Sequence, residues 1–118
     1  MIKRNFDIII VGAGVSGLIL ADEITKRTNK KVLLLEKEKK LKFEKNLCFW
    51  NHPYNILNKS ADNKWQKVCV IIKGKKHSLN FSGIEYLRIK SKNLYNFFLS
   101  RLKKRKNFNK KIYKDLKM

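Results

Sequence analysis

At 118 residues, 43% of them hydrophobic and 32% charged, the sequence suits one small domain or the opening piece of a larger one, not a disordered tail. Lys and Arg number 29 against 9 Asp and Glu, a net charge of +20 that first raises nucleic acid or an anionic membrane as partner. Only five of those cations are Arg, and Asn and Ile reach twelve each, a bias of AT-rich coding that argues against a nucleic-acid reader built on bidentate Arg contacts.

Phe6 to Val11 is β-branched and nearly continuous, which predicts a strand buried on both faces of a parallel sheet. The run resembles a signal-peptide core behind the basic Met1 to Arg4, but Asp7 interrupts it and glycines follow at once. A helical pattern covers Val15 to Lys26, with Leu18 and Ala21 or Asp22, then Leu20 and Ile24, at helix-face spacings. Thr28 to Lys30 is a polar turn, and Lys31 to Glu36 reads as a second buried strand. Residues 6–36 therefore have the size of one βαβ unit.

Residues 37–85 are expected as an insertion. Lys37 to Lys45 is a charged connector and Asn46 to Pro53 an aromatic-rich loop. Gln66 to Lys73 and Lys75 to Phe81 flank Gly74 as a hairpin, with Val68, Val70 and Ile72 on its apolar face. Residues 86–118 hold a helix led by Tyr86, Leu87 and Arg88, with Ser91 as N-cap and Leu94, Phe98 and Leu102 on one stripe to about Lys104. Lys92 in its first turn opposes the helix dipole. A short strand is expected near Lys111 to Leu116. Two or three buried-type strands are too few for a finished sheet, so the chain is expected to be a truncated domain.

Gly12, Ala13, Gly14, Val15, Ser16, Gly17 form a G-x-G-x-x-G motif between the first strand and the helix, and Glu36 follows Gly17 by nineteen residues. Strand before, helix after and acid at that distance together make a dinucleotide-binding fingerprint. Gly12 permits the tight turn, Gly14 lets backbone approach a pyrophosphate, and Gly17 lets helix pack on strand. Backbone N–H groups of Val15 and Ser16 at the helix start face the phosphates, and Glu36 accepts from the ribose hydroxyls. An NAD domain normally continues into another strand and helix; the insertion here points to FAD instead. The expected fold class is thus α/β, a Rossmann-like FAD-binding βαβ unit with an inserted β-hairpin, and Arg88 is a further candidate cofactor contact near the second helix.

Asn46, Leu47, Cys48, Phe49, Trp50 resembles the Thr-Trp-Cys-Phe-Trp stretch of lycopene cyclases, departing from it at Asn46 and Leu47. Trp65 before a Val-rich strand, and Tyr86, Ile89, Ser91 and Leu94, resemble that family's Tyr-x-x-Ile-x-Ser-x-x-Leu segment. The resemblance covers essentially the whole chain and about the first third of such an enzyme. It implies a flavoprotein that cyclises the linear ends of lycopene to β-ionone rings with no net redox change. The flavin is reduced FAD, stabilising a cationic transition state, and NAD(P)H keeps it reduced. The family's paired catalytic glutamates lie downstream of the matched part, so this chain supplies the ADP-binding portion, carries no catalytic residue and is expected to be inactive alone. Rival expectations are another FAD-dependent oxidoreductase or monooxygenase, a polyprenyl reductase, or an inactive truncated fragment.

The other candidates have plainer expectations. Cys48 and Cys69 are read as two buried thiols of a reducing cytosol, and His52 and His77 as ordinary polar residues with no metal site. Asp22 and Glu23 are read as a solvated helix face, and Phe49 and Trp50 as loop aromatics that pack or line a polyene channel. Arg101, Lys103, Lys104, Arg105 and Lys106 are read as a solvated helix end, with acidic lipid headgroups as the functional alternative. No stretch approaches a membrane span, so the expected location is cytoplasmic, at most peripheral on the inner membrane face, with lycopene as substrate and no nucleic acid.

Overall fold

The computed structural model describes residues 5–38 and 45–113, and the chain divides into two units, Met1–Lys42 with Tyr95–Met118 and Phe43–Leu94. In the first, β1 (Ile8–Val11), α1 (Val15–Arg27) and β2 (Val32–Glu36) make the expected βαβ unit, and β8 (Phe108–Ile112) completes a parallel sheet in the order β1-β2-β8. The α/β expectation holds. The last strand begins three residues earlier than Lys111, and positions 114–116 of the expected strand lie outside the described residues, as do Met1 to Arg4 and most of the charged connector.

Burial corrects the reading of β1. The central strand β2 is buried through Val32, Leu33 and Leu34, as a middle parallel strand must be. At the edge, β1 buries Ile10 but leaves Ile9 57% and Val11 54% exposed, because among the described residues no layer covers that second face. Asp7, which breaks the apolar run, is structural. Its carboxylate accepts the Lys31 N–H at 2.8 Å and ties the starts of β1 and β2 together.

Helix α1 buries Leu18, Ala21, Asp22 and Thr25, whereas Leu20 is exposed. Asp22 is the chief departure from expectation. It is only 2% exposed, with Arg105 Nη1 at 2.8 Å and Arg101 Nε at 3.3 Å from its Oδ1. Arg105 also donates to Asp22 O and Thr25 Oγ1, and Asn107 Nδ2 donates to the carbonyls of Thr25, Thr28 and Lys30. A buried carboxylate survives only when its charge is matched and its lone pairs are filled. Two members of the basic cluster expected in solvent are therefore structural, while Lys103, Lys104 and Lys106 remain exposed.

The second unit is antiparallel. Asn46–Asn51, expected as a loop, is strand β3, and Glu85–Lys90, whose Tyr86, Leu87 and Arg88 were expected to lead a helix, is strand β7. β7 is central between β3 and β4 (Asn63–Trp65), and a short 3₁₀ helix, Ile56–Ser60, precedes β4. The hairpin forms as expected from β5 (Lys67–Ile72) and β6 (Lys75–Asn80), though its apolar face is only half-buried at Val68 and Val70 and Ile72 is exposed.

Helix α2 (Ser91–Lys103) starts in this unit and ends in the first. Ser91 is its first residue, not a cap, and the Ser91 Oγ is buried with no partner among the described residues. The start of the helix is anchored from outside it: Asp62 accepts the Lys90 N–H at 2.7 Å and the Asn93 side-chain amide at 2.6 Å. It supplies the negative charge that the first turn, with Lys92 and no acid, lacks.

Replacing Asp22 with Asn leaves two guanidinium groups against a neutral amide. The expected loss is about 3 kcal/mol of stability. Urea denaturation checks it: the midpoint falls while the slope is unchanged.

Candidate functional site

The glycine loop lies where β1 hands over to α1, and three observations separate the roles of its glycines. Gly12 has φ +103, a conformation side chains resist. A Cβ on Gly17 would stand 2.1 Å from the Gly12 carbonyl oxygen, so helix and loop pack with no room for a methyl group. Gly14 is different: φ is −77 and nothing lies within 4 Å of the place where its Cβ would be. The fold itself does not demand glycine there. A group approaching from outside would.

Gly14 is also the N-cap residue of α1, and it provides no side-chain cap. The first turn has no acid, and the helical bond that crosses the cap runs from the Leu18 N–H to Gly14 O at 3.0 Å. The N–H groups of Val15 and Ser16 consequently have no acceptor among the described residues, at the positive end of the helix dipole. That is the chemistry of an anion cradle.

Register brings the acid to the same place. β1 and β2 run parallel with Val11 beside Leu35, and the Gly12 N–H donates to Leu35 O at 2.7 Å. Glu36 is therefore level with the loop, and its Oε2 accepts the Ala13 N–H at 2.7 Å. Its Oε1 accepts from the N–H of Lys37 at 2.8 Å and of Glu38 at 3.1 Å. Burial opposes the charge on Glu36, but the N–H bonds from Ala13, Glu38 and Lys37 and the cation of Lys110 outweigh it. They hold the carboxyl below its ordinary value of 4.5. A carboxylate offers about four lone-pair sites, so three backbone bonds leave capacity for a hydroxyl donor.

Gly12, Gly14, Val15, Ser16, Gly17 and Glu36 are thus gathered at one end of the first unit. Arg88 belongs to the second unit, on β7 and three residues before α2, with its guanidinium on Asn63 Oδ1. Its Nε is buried and lacks an acceptor among the described residues. Two groups have no signature in the sequence around them. Lys110 supports Glu36 from β8, where it also donates to the Tyr95 hydroxyl, and only pairing of Leu34 with Lys110 reveals it. Asp62 holds the Lys90 N–H and the Asn93 side chain at the start of α2 from a segment about thirty residues away, a distance no local signal spans.

Cys48 and Cys69 are exposed, contrary to expectation, since both fall on outward positions of strands. His52 accepts the Tyr54 N–H at 3.3 Å, and His77 is exposed on β6. Trp50, with its ring centroid 4.9 Å from those of Phe81 and Tyr86, packs in an aromatic cluster to which Trp65 adds. Among the described residues no three potential metal ligands gather, and no helix is long and apolar enough to cross a membrane. A cavity of about 320 Å³ at the far end of α1, lined by Thr25 to Asn29, Lys106 and Asn107, contains none of the loop residues.

A family model described as lycopene cyclase protein matches residues 7–114. No curated protein matches the chain. Among solved structures it is similar to PqsL of Pseudomonas aeruginosa, described as a probable FAD-dependent monooxygenase, at 16% identity and TM-score 0.71 over 92% of this chain and 33% of that one. It is similar to the p-nitrophenol 4-monooxygenase PnpA of Pseudomonas putida DLL-E4 at 14% identity and TM-score 0.71, over 94% of this chain and 32% of that one. The tetrameric form of 2-methyl-3-hydroxypyridine-5-carboxylic acid oxygenase matches at 15% and 0.70, over 93% and 32%. Identities this low speak for the fold, and the chain spans about a third of each of these proteins. The family match over nearly the whole chain is decisive: the chain belongs to the lycopene cyclase family.

The distinct roles of the glycines predict distinct phenotypes. Gly17→Ala should cost about 3 kcal/mol or prevent folding, because the methyl group meets backbone. Gly14→Ala should cost at most about 1 kcal/mol, the difference between the two residues at an N-cap. Thermal melts of the two variants check the contrast. Glu36 adds a pH signature: its folded pKa is depressed, so its contribution is complete above the unfolded value near 4.5 and disappears as pH falls through the lower folded value. The advantage of the native chain over Glu36→Gln should accordingly shrink as pH is lowered from neutrality, measured by denaturant unfolding at a series of pH values.

Proposed function

We propose that this lycopene cyclase family chain holds the ADP half of FAD at its glycine loop. In the whole protein, that cofactor serves cyclisation of the linear ends of lycopene to β-ionone rings. One observation carries the binding half: the Glu36 carboxylate stands at the glycine loop, on the Ala13 N–H, beside a helix start whose first N–H groups have no acceptor among the described residues. The residues present fit the group. Val15 and Ser16 offer N–H donors to a pyrophosphate, and the open space over Gly14 admits it. Glu36, ionised and with acceptor capacity to spare, takes a ribose hydroxyl and repels a 2′-phosphate. Gly12 and Gly17 act by shaping the loop. Arg88 is a further proposed cofactor contact, and its buried Nε has no acceptor among the described residues.

Reduced flavin, when bound, supplies a negative group beside a developing carbocation, and NAD(P)H keeps it reduced. Family membership supports the cyclase reading, and the fold shared with PqsL supports the flavin. The described residues include no acidic pair arranged for proton transfer: Asp22 is engaged by two arginines and Glu23 by Arg27. This portion binds and orients. A second reading, an oxygen-consuming flavin monooxygenase, is favoured by the three structural neighbours.

Titrating the full chain with FAD and with ADP, by calorimetry, tests the binding half. Gly14→Val should abolish binding of both, and Glu36→Gln should weaken it about tenfold, the worth of a hydrogen bond to a charged group. Undiminished affinity in Gly14→Val would refute the site. Supplying lycopene and reductant to the whole protein decides the reaction: ring closure without oxygen uptake supports the cyclase, and oxygen uptake with an oxygenated product the monooxygenase.

A further inference from the structure

The hairpin β5–β6 is the least explained part of the fold. Among the described residues its strands hydrogen-bond as a pair only with each other, in a two-stranded sheet closed at its base by the Phe81 N–H on Gln66 O at 3.2 Å. Every residue from Ile71 to Asn80 is exposed. An isolated hairpin is marginal in water, so this one has use for an external partner. Its composition says which kind. Residues 66–81 hold four lysines, Lys67, Lys73, Lys75 and Lys76, and no Asp or Glu. At the tip, Ile71 is 63% and Ile72 55% exposed.

Successive residues of a strand point to opposite faces, so the two isoleucines crop out one on each side of the blade. Register sets Lys76 opposite Ile71 and Lys75 opposite Ile72, so at the tip each face carries one isoleucine with one lysine beside it, while Val68, Val70 and Leu79 continue the face of Ile72 toward the base. The turn adds a third cation at a conformational cost. Lys73 has φ 49 and Gly74 φ 78, the left-handed pair of a tight hairpin turn, whose first position favours Asn, Asp or Gly. A lysine held there against that preference keeps positive charge at the extreme tip.

We infer that the tip of this hairpin is a membrane contact, in which Ile71 and Ile72 enter the headgroup boundary of an anionic lipid surface while Lys73, Lys75 and Lys76 pair with its phosphates. Charge decides against a second copy of the chain, whose hairpin would bring the same lysines. Geometry decides against a flat protein partner, which covers one face of a blade and leaves the other isoleucine wet; a lipid interface surrounds both. Lysines with long apolar stems suit that boundary. The lipid contact thereby moves from the helix end, where Arg101 and Arg105 are committed to Asp22, to a segment whose cations are free of acidic partners in its own sequence. This inference does not rest on flavin binding.

Flotation of the full chain with phosphatidylcholine vesicles, with and without phosphatidylglycerol, tests it. Binding should require the anionic lipid and weaken as salt rises. The combined variant Lys73→Asn, Lys75→Thr, Lys76→Thr suits turn and strand, so circular dichroism should be unchanged while binding falls about a hundredfold, each lysine near a surface being worth about fivefold. Ile71→Thr with Ile72→Thr should lose about tenfold and leave the salt dependence intact. Lys103→Ser, Lys104→Ser, Lys106→Ser, equal in charge removed, should cost less than about threefold. Equal losses in both lysine sets would show diffuse attraction and overturn the inference. So would absence of vesicle binding by the native chain, or tip variants that weaken binding of an oligonucleotide but not of vesicles.

Discussion

A single hydrogen bond, from the Ala13 N–H to Glu36 Oε2 at 2.7 Å, records the constraint on which the first unit turns. It exists because β1 and β2 are parallel and in a register that sets Val11 beside Leu35. That register in turn needs α1 to cross back tightly, which the missing side chain at Gly17 permits against the Gly12 carbonyl. Helix packing, strand register and the position of the carboxylate are one geometric fact. Among the described residues the helix start is left with unfilled donors, because the loop brings backbone, not side chains, to that place.

In so basic a chain the acids are scarce, and their placement is informative. Among the described residues five acids are engaged: Asp7 by the Lys31 amide, Asp22 by two arginines, Glu23 by Arg27, Glu36 by the loop and Asp62 at the start of α2. Most lysines then have no acid to meet, and the net charge of +20 is a property of the surface. Arg, a minority of the cations, makes the specific contacts: Arg101 meets the buried Asp22 carboxylate through Nε and Nη2, and Arg105 meets it through Nη1, which also donates to Asp22 O and Thr25 Oγ1. Composition alone shows the excess charge but not this division of labour.

The two segments that carry the family resemblance are neighbours in the second unit. Asn46 to Trp50 is β3 and Tyr86 to Lys90 is β7, paired antiparallel with Trp50 beside Tyr86 and Cys48 beside Arg88. Ile89 and Leu94, which complete the second motif, are both buried. Much of what marks the family in this stretch is therefore a ladder and its core.

Residues close together in sequence settled what local physics governs. The β-branched run before the glycines, the helical spacing after them, and the acid nineteen residues on gave the βαβ unit and the loop's residues. Gly74, following a Val- and Ile-rich stretch and preceding Lys75 to Phe81, pointed to the hairpin. Asn46 to Asn51 and Tyr86 to Lys90 were misread because each is held as a strand by a partner about forty residues away, and Leu87 to Lys90, though it alternates, runs straight into a helix. Asp22 looked like one acid of a solvated pair because nothing nearby in sequence announces Arg101 and Arg105, 79 and 83 residues later. The same holds for Lys110 beside Glu36 and Asp62 above α2. Conformational preference and periodicity act over a few residues, so sequence determines elements and motifs. Charge pairing and burial depend on which distant segments meet, and only the folded chain decides that.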